Sequence, residues 1–118
     1  MSNKVKIKLY NNLEDSIESI KSNTLILIGF DRIRKEEFND VKTYTLKDLD
    51  RLVITEGCKN INIILNTYAP LKSILISKLN FYSNMYNINF KVYVEYYKDL
   101  NIYDKFKKYD VIVEKRVV

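Results

Sequence analysis

The sequence predicts a single α/β domain over residues 1–118. The expected form is a small three-layer, Rossmann-like sandwich on a mainly parallel sheet of about five to six strands, with about four helices. Three observations carry that expectation. Strand-like and helix-like segments alternate along the whole chain. Residues 24–30 are apolar on both faces, the pattern of a strand covered from two sides, and residues 61–65 form a second apolar run with the length of a buried strand. No Pro/Gly/Ser-rich linker, internal repeat or low-complexity tract divides the chain.

The elements follow in order. Val5, Ile7 and Leu9 alternate with Lys6 and Lys8, which predicts a half-buried strand. Its polar face predicts an edge or antiparallel position. Asn11-Asn12 offers a helix cap, with Glu14 and Asp15 in the first turn, an apolar stripe of Leu13, Ile17 and Ile20, and Lys21 in the last turn. Residues 24–30 form a central strand, with Gly29 free to take a positive φ. Residues 31–40 are charged, with one helical turn near 34–38, and 41–44 form a short strand.

Thr45 and Asp48 have the spacing of a capping box, followed by Leu46, Leu49, Leu52 and Val53 on one face. Gly57 is placed as the left-handed stop of a helix over 46–56. Residues 60–65 are a second central strand. Thr67-Tyr68-Ala69-Pro70 then opens the longest helix, since Pro near the first turn loses no hydrogen bond. Leu71, Ile74, Leu75, Leu79, Tyr82 and Met85 share its expected apolar face. Residues 89–97 alternate, with Phe90, Val92, Val94 and Tyr96 against Lys91, Tyr93, Glu95 and Tyr97. Asp99 caps a short helix to Lys108, and residues 110–118 close as a strand. The first or last strand is expected to run antiparallel at an edge.

Composition excludes several chemistries. The chain has no His, so it has no imidazole base, no Ser-His-Asp or Cys-His arrangement and no imidazole metal ligand. One cysteine, Cys58, makes neither an internal disulfide nor a thiolate zinc site. It is expected to be a buried, unreactive thiol. No apolar run reaches the ~18 residues of a membrane span. An intracellular, cytoplasmic protein is the expectation, with no cofactor and no metal. Lys, Ile, Asn and Tyr supply 54 of 118 residues, and their codons all begin with two A/T bases. An AT-rich genome, such as that of a virus or mobile element, suits this composition.

Charge is uneven. The net +5 divides into +1 for residues 1–59 and +4 for residues 60–118, and eight of the ten tyrosines fall in the second part. A basic, aromatic half suits nucleic acid or another anion. In open α/β sheets ligands gather at the carboxyl ends of strands. The candidate ligand-binding residues are therefore Asp31, Arg32 and Arg34 after one strand, Asn66 and Thr67 after another, and Tyr97 and Lys98 after a third. Arg forks grip phosphate bidentately, and the free N–H groups of a helix start favour anions. Lys91, Tyr93, Lys105, Lys107 and Lys108 are candidate nucleic-acid contacts, lysines for phosphate and tyrosine for stacking. Neither G-x-G-x-x-G nor G-x-x-x-x-G-K-[ST] occurs, which disfavours ordinary dinucleotide or P-loop binding.

Residues 61–97 read as a strand ending in a small polar motif, a long helix and another strand. That layout resembles, in topology, the Rossmann-like sensor domains that bind cyclic oligoadenylates in CRISPR defence, with Tyr68 where their glycine follows the Thr. A resemblance of this kind bears on fold rather than on function.

The expected function is non-catalytic binding of nucleic acid or a nucleotide-like anion. One alternative is a protein–protein interaction factor that antagonises a host defence system. Another is a metal-dependent phosphodiesterase, for which Asp31 and Asp99 are the only plausible carboxylate pair. A homodimer is expected from the small size and the polar-faced first strand.

Overall fold

The computed structural model describes residues 5–10, 24–29, 42–65, 72–95 and 111–114. Its centre is a six-stranded sheet made of β1 (Val5–Tyr10), β2 (Thr24–Ile28), β3 (Thr43–Tyr44), β4 (Asn60–Leu65), β5 (Asn89–Glu95) and β6 (Val111–Glu114). The strands lie in the order β3-β2-β4-β5-β1-β6, and every pairing is parallel.

This corrects the reading of β1. It is neither an edge nor antiparallel: it lies inside the sheet, parallel to β5 and β6. β6, the last strand, is an edge but also runs parallel. The Lys/apolar alternation of β1 reflects one polar face, not an exposed edge, so that ground for a dimer through β1 is gone.

Two helices are found among the described residues, against about four expected from the sequence. The other two expected helices, near 12–21 and 99–108, lie outside the described residues. The first helix, α1, begins with a 3-10 turn at Leu46–Asp48 and ends with a wide turn at Arg51–Thr55. At its start the Thr45 N–H donates to the Asp48 carboxylate at 3.0 Å, and the Asp48 N–H donates to the Thr45 carbonyl at 3.0 Å. At its end the Glu56 N–H reaches the Arg51 carbonyl and the Cys58 N–H reaches the Leu52 carbonyl. Gly57 closes the turn at φ 64°, as its position predicts.

The second helix, α2, spans Ser73–Tyr86. It ends on Asn87 at φ 56°, a left-handed cap that asparagine tolerates better than most residues. Its buried residues are Ile76, Leu79, Tyr82 and Ser83. The sequence places Ile74 and Met85 on the buried face as well. The structure instead leaves both exposed, because the core-facing stripe is rotated toward residues 76, 79 and 83.

One sheet face carries the main core. Val5, Ile7, Ile26, Ile61, Ile63, Leu65, Phe90 and Val92 pack there with Leu49, Leu52 and Val53 of α1 and Ile76, Leu79 and Tyr82 of α2. Each of these strand residues is at most 1% exposed. An aliphatic or aromatic side chain buried this far contributes roughly 1.5–3 kcal/mol. Ser83, also buried, donates its hydroxyl to the Ile88 carbonyl at 2.9 Å and so ties the helix end to the start of β5.

Candidate functional site

Register assigns the residues of the opposite sheet face. Leu25 pairs with Asn62, Asn62 with Lys91, Lys91 with Lys6, and Lys6 with Ile112. In a parallel sheet, residues paired in this way point to the same side. With Thr43 of β3 in register with Leu25, a single row thus crosses all six strands, carrying an amide and two lysine side chains on three adjacent ones. Neighbouring strands are ~4.8 Å apart, so the three polar residues span roughly 10 Å.

Burial is graded along the row. Ile112 on edge strand β6 is exposed, Lys6 and Lys91 are half-buried, and Asn62 is 2% exposed. The Asn62 Nδ2 is buried and has no hydrogen-bond partner. Among the described residues the ion pairs are Arg51–Asp48, Arg51–Glu56 and Lys78–Asp50, and neither Lys6 nor Lys91 takes part in one. Acids do occur farther along: Glu114 is in register with Lys8, one row nearer the carboxyl ends, and Glu95 with Tyr10, two rows nearer.

This arrangement opposes stability in two ways. Like charges in register across strands repel, by about 0.2–1 kcal/mol. A buried donor without an acceptor costs about 1–3 kcal/mol. Parallel sheets normally read as continuous apolar runs on both faces. The row is therefore a local departure from what the fold itself requires. The two lysine ammonium groups and the unpartnered Asn62 Nδ2 are donors, which an anion would satisfy.

Of the residues singled out in the sequence, Lys91 lies in this row. Tyr93 is on the same strand and the same face, but it is 5% exposed. Its ring is part of the sheet's packing and is not an open platform for a base. Asp31, Arg32, Arg34, Asn66, Thr67, Tyr97, Lys98, Lys105, Lys107 and Lys108 lie outside the described residues, as does Asp99.

The strands that lead to these segments are described, and they are neighbours. β2, β4 and β5 are adjacent, with Ile28 in register with Leu65. From β2 the chain passes outward to β3, and from β4 it passes the opposite way to β5. The connections thus diverge between β2 and β4, the point at which open α/β sheets form ligand crevices. Gly29, directly after β2, has φ 77°, so the chain leaves this strand through a conformation that favours glycine.

Lys6 and Asn62 are the members of the row that the sequence did not single out. A signal was present for each. Lys6 lies on the polar side of an alternating strand, and Asn62 interrupts an apolar run. What joins them is the long-range register of β1, β4 and β5, which no local pattern contains.

A second polar cluster links the two helices. The Tyr82 hydroxyl donates to the Asp50 carboxylate, and Lys78 Nζ lies 2.9 Å from the same oxygen. The hydrogen bond from Tyr82, and then that from Lys78, holds the Asp50 carboxyl below its ordinary range. The same Asp50 bond pushes the Tyr82 phenol up to about 12. Asp48 is also held low, first by the Thr45 backbone N–H and then by Arg51. Each cluster is explained by helix capping and helix–helix contact. Cys58 is half-buried and accepts a hydrogen bond from the Thr24 hydroxyl at 3.7 Å. Among the described residues no three acidic or thiol side chains gather as a metal site would require, and no helix is long and apolar enough to cross a membrane.

No family model, no curated protein and no solved structure matches this chain.

Proposed function

We propose that this domain is a non-catalytic binding protein for a nucleic acid or a nucleotide-like anion. In this reading the fold is a small Rossmann-like sandwich, and the row Lys6–Lys91–Asn62 holds a phosphate. The observation that carries it is the row itself: two half-buried lysines in register, with no acid paired to either among the described residues, beside a buried amide donor without an acceptor. A phosphate between the lysines converts their repulsion into two attractions and gives the Asn62 Nδ2 its acceptor. The net +4 of residues 60–118 adds a long-range field of the same sign. In sequence, Arg32 and Arg34 follow β2, Asn66 and Thr67 follow β4, and Lys98 follows β5, and these three strands are adjacent.

The test is fluorescence anisotropy with labelled single- and double-stranded DNA, single-stranded RNA and a nucleoside triphosphate, from about 50 to about 200 mM salt. Binding that weakens with salt is expected for at least one probe. Lys91→Glu is expected to weaken it about tenfold or more and to reduce the salt slope by about one. Absence of salt-dependent binding at ~100 µM protein, or a Lys91→Glu variant that binds as the wild type does, would overturn the proposal.

A second reading, a factor that acts by binding another protein, draws on exposed apolar side chains of α2: Ile74, Phe81 and Met85.

A further inference from the structure

The row Lys6–Lys91–Asn62 is closed on two sides and open on two. Beyond Asn62 its neighbour is Leu25 of β2, which is fully buried. Toward the carboxyl ends, the next row of the same face carries Leu27, Ile64 and Tyr93 on β2, β4 and β5, and all three are buried. Toward the amino ends, residues two apart on a strand share a face, so Asn60 adjoins Asn62 and Asn89 adjoins Lys91. Asn60 and Asn89 are in register and both exposed, and the Asn89 Nδ2 donates to the Asn60 Oδ1 at 3.2 Å. On the β6 side the row ends at the exposed Ile112. Access is thus from the amino ends or the β6 edge, and Asn62 is the innermost polar member.

That geometry selects among phosphates. An internal phosphodiester carries one negative charge and has chain leaving it in two directions. At Asn62 the β2 side and the carboxyl side are both closed to such a chain. A terminal phosphate needs only one exit. It carries about −1.5 to −2 charge at pH 7 and three acceptor oxygens, which suits two lysines and one amide donor.

We infer that the row takes a terminal phosphate, a phosphomonoester rather than an internal phosphodiester, with Asn62 at its inner end and the attached nucleoside over Asn60 and Asn89. The inference rests on the anion binding proposed above and adds which phosphate is bound and from which side it enters. Lys6 and Lys91, on flexible four-carbon stems, follow the phosphate inward. The Asn60 and Asn89 amides offer donors and acceptors to sugar hydroxyls or base edges. A mononucleotide and the phosphorylated end of a nucleic-acid strand present the same group.

Isothermal titration calorimetry on the full chain tests it. The probes are one oligonucleotide sequence with a 5′-phosphate, a 3′-phosphate or hydroxyls at both ends, and a nucleoside monophosphate against its nucleoside. At least one phosphorylated probe is expected to bind about tenfold or more tighter than its hydroxyl counterpart, the worth of one charge-assisted hydrogen bond. Tighter binding of the strand points to a nucleic-acid end as the source, and tighter binding of the monophosphate to a mononucleotide. Asn62→Leu should erase the preference for a terminal phosphate, and Asn89→Ala should weaken the best phosphorylated probe several-fold. Equal affinity for phosphorylated and hydroxyl-ended strands, with binding still weakened by Lys91→Glu, would overturn this inference while leaving anion binding at the row in place. A preference that survives Asn62→Leu would also overturn it. Absence of binding by every probe would overturn both.

Discussion

The two faces of the sheet obey different rules. On the core face, Ile61, Ile63, Phe90, Val92, Ile7 and Val5 are buried among the side chains of α1 and α2. Burial of these apolar side chains stabilises the folded state. On the opposite face, Asn62, Lys91 and Lys6 share one row in which a donor lacks an acceptor and two positive charges adjoin. The same three strands build both faces, so the contrast does not arise from poor packing in one part of the molecule. It arises from alternate residues of a strand answering to different demands: one set folds the chain, while the other is tolerated at a cost. Where local choices conflict with the fold, function is the first explanation to test.

That contrast can be broken from the core side with the largest effect. Phe90→Ala should lose about 3–5 kcal/mol in denaturant unfolding, because a fully buried ring leaves a cavity among the helices. Such a loss is a large share of the stability of a typical domain, about 5–15 kcal/mol.

On the polar face the sign should reverse. Asn62→Leu keeps the approximate size of the side chain and removes the unpartnered donor, so stability should rise by about 1–3 kcal/mol. Anion binding should weaken at the same time. Lys91→Glu should stabilise more modestly, by about 0.2–1 kcal/mol, as Lys6 gains an opposite charge in register. Together, equilibrium unfolding and anisotropy should show stability and binding moving in opposite directions for both variants.

The smallest expected effect is a pH dependence confined to the contact between helices. The folded-state pKa of Tyr82 is raised, from 10.0 to about 12, because its hydroxyl donates to Asp50. Its contribution is therefore fully present below pH 10 and is lost as pH rises toward 12. The Asp50 pKa is lowered from 3.8, so its contribution is present above that value and fades as pH falls below it. Thermal melts between pH 9 and about 12 should show a decline in wild type that is shallower in Tyr82→Phe.

Much of the fold was legible because its signals are local. The apolar runs at 24–30 and 61–65 became the strands β2 and β4. Thr45, Asp48 and Gly57 fixed the helix over 46–56 through short-range hydrogen bonds and one left-handed residue. The position of β1 was not legible. Its alternation correctly reports one polar face, but an edge strand and an interior strand with one polar face share that pattern. The outer stripe of α2 was misplaced for a related reason. That helix is apolar around much of its surface, so periodicity alone does not choose which side meets the sheet. Lys91 could be singled out from sequence, whereas its partners Lys6 and Asn62 are 85 and 29 residues away and meet it only through register.

The most direct test is an NMR titration of the full chain with a short single-stranded oligonucleotide, following the Asn62 side-chain NH₂ pair and the Lys6 and Lys91 amides. The expected result is that these signals move together and saturably, with little change at Ile63 and Phe90 on the core face. An unchanged Asn62 NH₂ pair, with shifts confined to other parts of the molecule, would contradict anion binding on this face of the sheet.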